Sequence, residues 1–166
     1  MTTTITTTAT TAIPVRLDFD DVAPGFEKAL THLGNAATKE LDRAQIGAGL
    51  RELIRIRASQ LNGCAYCVDM HSKDAAAVGE SAERISNLVV WRETPFFTER
   101  ERAALAFTEA VTTCADHHVP DAEFAAMAAQ WDPVEIAAIL SLIVSINAWN
   151  AIGVTTRTWE VGSYER

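Results

Sequence analysis

The segment that most restricts the fold of this chain is the apolar stretch VEIAAILSLIVSINAWNAI near its C-terminal end. Asp132, Pro133 and Glu135 are typical of the start of a helix, and Gly153 is placed to end it. The predicted helix is apolar on nearly every side, so it must be buried all round. A domain of 166 residues has few places to bury it, so we predict a bundle of helices and a homo-oligomer.

The rest of the chain, from about residue 20, also carries helical patterns. Start signals such as Pro24 and a Thr98/Glu101 capping box mark further helices, and Gly63 and Gly79 are placed to end two of them. No strand pattern with matching turns occurs in the sequence. The predicted fold class is therefore all-α with about seven helices, over residues 24–39, 43–61, 64–78, 82–91, 98–115, from 121 onward and 133–153.

Two of these helices resemble each other in sequence. A shift of 90 residues places LDRAQIGAGLRELIRIRASQLNG over WDPVEIAAILSLIVSINAWNAIG. Asp42 then meets Asp132, Leu50 meets Leu140, and Gly63 meets Gly153 in the other copy. Either a helical unit has been duplicated, or two amphipathic helices share a generic apolar spacing.

Composition restricts the partners of this chain. Lys and Arg total 14 against 22 Asp and Glu, which gives a net charge of −8 and argues against nucleic-acid binding. We predict no membrane partner, because no apolar run reaches the length needed to span a bilayer. Residues 1–19 are Thr-rich and lack the features of a signal peptide, so we expect a flexible arm before a domain over 20–166 and a cytoplasmic location.

The stretch NGCAYCVDMHSK contains the residues best suited to catalysis or metal binding. If a helix starts at Gly63 or Cys64, then Cys64, Cys67 and His71 share one face at spacing i, i+3, i+7. The helix N-terminus and the imidazole both favour the thiolate form of sulfur. Two thiols at this spacing can close a disulfide across the first turn, so the pair can be oxidised and reduced.

Glu52 on the preceding helix is a further candidate. It lies off the main apolar stripe, and a sharp turn at Gly63 would bring it towards the thiols, where its carboxylate could hold His71. Two alternatives remain open at this point. The two cysteines, His71 and Glu52 could bind a metal ion, or Glu52 could form an ordinary surface pair with a neighbouring arginine.

The set Glu52, Cys64-Ala-Tyr-Cys67 and His71 closely resembles the alkylhydroperoxidase D core of the carboxymuconolactone decarboxylase superfamily. RASQLNGCAYCVDMHS and WRETPFFTERERAALAFTEAV also resemble small bacterial members. The resemblance implies an all-helical fold, thiol peroxidase activity without a bound cofactor, and trimers or trimers of dimers. The implied partners are a small hydroperoxide and an external dithiol or thiol reductant.

The same resemblance implies catalytic roles for Glu52, Cys64, Cys67 and His71. Well-studied members have a histidine where this chain has Tyr66, and a phenol is a weaker base near neutral pH. We expect Cys67 to attack the peroxide with help from His71. Cys64, expected to be the more exposed sulfur, would resolve the intermediate and meet the external dithiol.

Two other functions compete with this interpretation. The oligomer could be a non-catalytic redox sensor, or the chain could decarboxylate a lactone acid, as other members of the superfamily do. Residues outside the motif have structural expectations only. Cys114 is predicted to be a small core residue, and Asn147 and Asn150 are predicted to pin an apolar helix through hydrogen bonds.

Overall fold

A computed structural model describes residues 13–166 of the chain. The described part is all-α, as predicted, and contains nine α-helices and one 3₁₀ segment. Two of the helices are single turns of four residues, which accounts for the difference from the predicted seven. The elements are α1 Phe19–Val22, α2 Pro24–Arg43, α3 Ala48–Asn62, α4 Ala65–Ala77, α5 Ala82–Asn87, the 3₁₀ segment Leu88–Glu93, α6 Glu99–Thr112, α7 Cys114–His117, α8 Asp121–Ala128 and α9 Pro133–Thr156.

Most of the start and stop signals act as predicted. Thr98 and Asp132 each form a capping box at the start of α6 and α9. Pro24 occupies the first position of α2, where its missing N–H costs nothing. Gly63 ends α3 in the left-handed conformation, with φ 72°, which a residue with a Cβ adopts only with strain. Local chemistry therefore fixes most of the helix boundaries.

The prediction that Gly153 ends the last helix is wrong. Helix α9 continues through Gly153 to Thr156 and ends at Arg157, which has φ 55°. A Cβ on Gly153 would lie 3.0 Å from Cys64 Sγ and 3.1 Å from a ring carbon of Trp159. The glycine therefore lets α9 approach the cysteine pair closely.

Helix α3 is the centre of the bundle and packs against α4, α6 and α9, while α2 packs along α9. Leu50 and Ile54 of α3 join one core cluster with Ile139 of α9. Leu53 and Ile56 of α3 join a second cluster with residues of α4, α6 and the 3₁₀ segment. Two faces of α3 are thus committed to the core, and the site described below lies where α3, α4 and α9 meet.

Helix α9 differs from one of the expectations. Its length and mean hydropathy of 1.8 are sufficient for a membrane span, contrary to the expected lack of such a run, although core helices of soluble proteins also meet these criteria. In the single chain Leu140 and Val144 are 38% and 48% exposed, so the burial on every side that the sequence predicts would require a second copy of the chain. Helix α9 therefore has one face in the core and an apolar outer face.

A chain of side-chain amides pins α9 to the end of α3, as predicted for Asn147 and Asn150. Asn62 Nδ2 donates to Asn147 Oδ1 at 2.7 Å and to Asn150 Oδ1 at 3.0 Å. Asn150, which is fully buried, donates in turn to Ser59 Oγ at 3.0 Å. These bonds fix the position of α9 beside the turn that precedes Cys64.

Replacing Asn150 by Ala is expected to lower the free energy of unfolding by about 1–3 kcal/mol, because Asn62 and Ser59 lose a buried hydrogen-bond partner. Urea denaturation followed by circular dichroism measures the change. Asn35→Ala, at an exposed position of α2, is the control and should change stability by less than about 0.5 kcal/mol. Equal effects of the two substitutions would contradict a pinning role.

The structure also bears on the expectations for Cys114, the N-terminal arm and the duplicated helical unit. Cys114 is exposed, so its predicted core position is wrong; α6 ends at Thr112 and places it on a separate turn. Residues 1–12 of the predicted arm lie outside the described residues, but Arg16 N donates to Thr156 O at 2.8 Å, so residue 16 is docked on the end of α9. The duplication stays a prediction, and at the paired positions Leu50 is buried whereas Leu140 is exposed.

Candidate active site around the Cys64–Cys67 pair

The two cysteines lie at the start of α4. Gly63 reverses the chain after α3, Cys64 is the N-cap residue of α4, and Cys67 lies in its first turn. Their Cα atoms are 5.4 Å apart and their sulfurs form a disulfide. The predicted closure across the first turn is thus present. Cys64 and Cys67 are both buried, with 3% and 2% of their surfaces exposed, so Cys64 has no marked advantage in exposure.

Glu52 and His71 form a buried pair beside the cysteines. His71 Nδ1 lies 2.9 Å from Glu52 Oε2, and the other carboxylate oxygen accepts a hydrogen bond from the Arg55 guanidinium. The sharp turn at Gly63 brings α4 back along α3, which is why a residue of α3 reaches one of α4. The structure thus confirms that this face of α3 approaches the thiol motif.

The charge on Glu52 determines the tautomer of His71. Burial alone would raise the pKa of Glu52, but the hydrogen bond from His71 and the charge of Arg55 outweigh it and lower the pKa below its ordinary value of 4.5. The ionised carboxylate can only accept, so His71 Nδ1 carries the proton that it shares with Glu52. In the neutral ring Nε2 is then free to accept a proton.

A cavity of about 390 Å³ opens beside this pair, and both Cys67 and His71 line it. Cys64 is not among the described residues that line it. Its walls are mostly apolar, with charged groups at a few positions. Its lining includes Asp20, Glu27, Arg55, Tyr66, Met70, Trp149 and Trp159. Cys67 is therefore the sulfur that a small molecule in this cavity would meet.

Trp159, in the segment after α9, covers part of this site. Its ring lies 5.6 Å from the rings of both Tyr66 and Trp149, and its Nε1 donates to Asp20 Oδ2 at 2.8 Å. Further along the segment, Tyr164 OH donates to Asp74 Oδ1 of α4 at 2.9 Å. The C-terminal segment thus lies across the helix that carries both cysteines.

Comparison with known proteins agrees with this geometry. The sequence profile of the carboxymuconolactone decarboxylase family matches residues 24–110, which include Glu52, both cysteines and His71. The chain belongs to this family. The resemblance to its alkylhydroperoxidase D branch is supported by a solved structure from Agrobacterium tumefaciens, a protein of unknown function described as a candidate antioxidant defence protein AhpD. The two are 37% identical with a TM-score of 0.82, over 89% of this chain and 98% of the other.

Two relatives and one structural neighbour extend the comparison. The uncharacterized protein YdfG of Bacillus subtilis is 34% identical over 84% of this chain and 92% of its own length. YnjA of Escherichia coli, also uncharacterized, is 30% identical over 63% of this chain and 57% of its length. The debrominase Bmp8 shares the fold, with a TM-score of 0.74 at 21% identity over 86% of this chain and 74% of that one.

One cluster of potential metal ligands occurs among the described residues. Oxygen or nitrogen atoms of Glu52, His71 and Asp74 lie within 4.8 Å of one another. The Arg55 guanidinium is bonded to Glu52 and opposes a further cation there. The sulfurs that the sequence offered as ligands are bonded to each other, and a metal requires thiolates. This arrangement fits redox chemistry of sulfur better than metal binding.

Tyr66 lies between the two cysteines in the sequence, and its surroundings make it a poor base. Burial, followed by the charges of Asp69 and Asp20, raises the pKa of its hydroxyl above the ordinary value of 10.0. The phenol therefore stays protonated near neutral pH.

The sequence prediction missed several residues of the cavity. Asp20, Trp149 and Trp159 come from α1, α9 and the C-terminal segment, which are far apart in the chain. The sequence predicts at most a surface pair between Glu52 and a neighbouring arginine, and that arginine is Arg55, which lines the cavity. The sequence offers one signal, which is Trp159 in a polar segment beyond the last helix. A lone tryptophan does not indicate which residues it packs against.

Proposed function

We propose that the protein is a thiol-dependent peroxidase that reduces a small organic hydroperoxide through the Cys64–Cys67 pair. The observation that carries this proposal is that Cys67 and His71 line one cavity while Glu52 holds His71 from behind. A nucleophile, a base and a carboxylate that orients the base are the parts needed for attack on an electrophile. The antioxidant description of the Agrobacterium protein supports the same conclusion.

The reaction begins from the dithiol. His71 Nε2 accepts the proton of Cys67, which lies one helical turn earlier, and the thiolate attacks one peroxide oxygen. The O–O bond breaks, the alcohol leaves with the proton from His71, and Cys67 becomes a sulfenic acid. The Cys64 thiol then attacks Cys67 Sγ, water leaves, and the disulfide forms. Two equivalents of an external thiol restore the dithiol and become a disulfide themselves.

The size and lining of the cavity favour an organic substrate. A volume of about 390 Å³ is within the range of small-molecule sites and is much larger than hydrogen peroxide requires. Met70 and Trp149 contribute apolar surface to its wall. An alkyl or aryl group on the peroxide would bury apolar area there, which stabilises the bound substrate.

A panel of hydroperoxides tests this proposal. Hydrogen peroxide, tert-butyl hydroperoxide and cumene hydroperoxide are each supplied with dithiothreitol, and peroxide consumption is followed with wild-type protein and with Cys67→Ser. We expect steady turnover by wild type, higher kcat/KM for the organic peroxides, and only the background rate with Cys67→Ser. Oxidation of the pair without turnover would instead support a redox sensor, and the presence of the cysteine pair argues against a lactone decarboxylase.

We also propose that the protein acts in the cytoplasm as a homo-oligomer. Leu140 and Val144 leave an apolar strip on the outer face of α9, and a second copy would bury it. Light scattering at low micromolar concentration should give several times the monomer mass of 18.0 kDa. Val144→Asp should shift the protein towards the monomer, whereas Val15→Asp, at an exposed position outside the helices, should not. A monomeric wild type would contradict this prediction.

A further inference from the structure

The two sulfurs of the disulfide differ in what surrounds them. Cys67 lines the cavity, and Cys64 lies against α9. Cys64 Sγ and a ring carbon of Trp159 lie 3.0 Å and 3.1 Å from the position that a Cβ on Gly153 would take. Helix α9 therefore packs against Cys64 Sγ, and the indole lies beside the same point of the helix.

Trp159 is held firmly in this position. Asp20 Oδ2 accepts a hydrogen bond from its Nε1 at 2.8 Å, and its ring is in contact with Tyr66 and Trp149 on two sides. Opening the approach to Cys64 would break that bond and expose aromatic surface. The approach to Cys67 through the cavity requires no such change.

The cavity also favours one sign of charge. Asp20 and Glu27 both line it, and Asp20 Oδ1 is buried with no hydrogen-bond partner among the described residues. The positive group in the lining, Arg55, is already paired with Glu52. An unpartnered carboxylate oxygen is stabilised by a ligand that donates N–H or O–H, and it disfavours an anion.

We propose that the disulfide is reduced by a small uncharged or cationic thiol that enters this cavity and attacks Cys67 Sγ. This inference rests on the proposed redox cycle of the pair and names its reductant class. The incoming thiolate bonds to Cys67 Sγ, the Cys64–Cys67 bond breaks, and Cys64 leaves as a thiolate that takes up a proton. A second thiol group then attacks the sulfur of the bound reductant, releasing the oxidised reductant and the Cys67 thiol.

The geometry of α4 favours this direction of attack. Thiol–disulfide exchange is faster when the leaving sulfur is stabilised as a thiolate. Cys64 is the N-cap residue of α4, where the unpaired N–H groups of the helix favour negative charge. Attack on Cys67 therefore expels the sulfur that is better placed to leave, and the cavity accommodates the group that remains on Cys67.

The first experiment measures reduction of the oxidised protein by three thiols of similar size and different charge. Cysteamine is cationic, 2-mercaptoethanol is neutral and 2-mercaptoethanesulfonate is anionic. Each rate is divided by the rate for the same protein unfolded in urea, which removes differences in intrinsic thiol reactivity. We expect the normalised rate to be at least about tenfold higher for cysteamine than for the sulfonate, because a charged cleft concentrates the opposite charge. Asp20→Asn, which keeps the acceptor for Trp159, should reduce that ratio.

The second experiment locates the attack. Reduction is quenched with acid after a few per cent reaction, and mass spectrometry identifies the cysteine that carries the mixed disulfide, in a Cys114→Ser background. We expect the reductant on Cys67 in wild type, and a substantial fraction on Cys64 in Trp159→Ala, where the indole no longer lies beside α9 near that sulfur. Phe124→Ala removes an exposed ring elsewhere and should leave the pattern unchanged.

Wild-type adducts on Cys64, or equal normalised rates for the cationic and anionic thiols, would overturn the inference. Peroxide is absent from both experiments, so their outcome is independent of the proposed peroxidase activity. Attack on Cys67 without peroxide turnover would support the reductant site and contradict the peroxidase proposal. Peroxide turnover with reductant adducts on Cys64 would support the peroxidase proposal and contradict the reductant site.

Discussion

Cys67→Ser is expected to lower peroxide turnover by at least about 10³-fold, because it removes the nucleophile itself. Cys64→Ser is expected to behave differently. Without added reductant it should still consume about one equivalent of peroxide per chain, since Cys67 and His71 are intact, and then keep Cys67 as a sulfenic acid for lack of a resolving thiol. The two variants separate the attacking sulfur from the resolving one, which peroxide turnover of the wild type does not.

The measurement is a single addition of peroxide followed by a dimedone-type reagent that traps sulfenic acid. Both variants are made in a Cys114→Ser background, because Cys114 is exposed and would be labelled independently. Labelling should persist in Cys64→Ser and vanish in Cys67→Ser. The reverse pattern would show that the position of a cysteine at the helix end, rather than its contact with a base, sets reactivity.

The expected order follows from the sizes of two effects. A helix terminus stabilises a thiolate at Cys64 by about 0.3–1 kcal/mol, which is under one pKa unit. A positioned general base accelerates attack by roughly 10²–10⁴-fold, and only Cys67 lies one turn from His71. The structure adds a second reason, because Cys67 lines the cavity and Cys64 does not. Base assistance and access therefore act on the same sulfur.

Features that depend on local chemistry could be predicted from the sequence. The capping boxes at Thr98 and Asp132 and the left-handed glycine at 63 are encoded within a few residues of where they act. The shared face of Cys67 and His71 follows from helical spacing alone. Even the approach of Glu52 could be anticipated, because only a single tight turn separates α3 from α4.

Features that depend on which helices meet could not be predicted in the same way. Glycine is common at helix ends, but Gly153 instead leaves room for Cys64, which is distant in the chain and lies beside it only in the folded protein. The position of the indole near Cys64 likewise depends on Trp159 meeting Asp20. Cys114 was assigned to the core from apolar neighbours, yet a break after Thr112 turns it outward. The first two outcomes are decided by tertiary contacts, and the third by a helix end that the apolar spacing does not reveal.

Glu52→Gln is expected to lower kcat/KM for peroxide by roughly 10²-fold, because an amide orients His71 but does not stabilise the imidazolium that forms as Cys67 loses its proton. The substitution keeps the shape of the side chain and removes its charge. Glu83→Gln, at an exposed position of α5, is the matched control and should leave kcat/KM unchanged. If kcat/KM of Glu52→Gln falls only in proportion to the fraction of folded protein, Glu52 has a structural role alone.

The same pair of variants gives a stability test with a defined sign. The folded pKa of Glu52 lies below its ordinary value of 4.5, so its ionised form stabilises the fold, fully so at pH values above 4.5. Glu52→Gln should therefore lower the free energy of unfolding by about 1–3 kcal/mol at pH 7, where Arg55 and His71 lose a charged acceptor. The difference from wild type should shrink as pH falls through the lowered pKa, since wild-type Glu52 is then protonated too. Urea denaturation between pH 7 and pH 3.5 measures this, and a difference that stays constant over that range would show that Glu52 is not held ionised by His71 and Arg55.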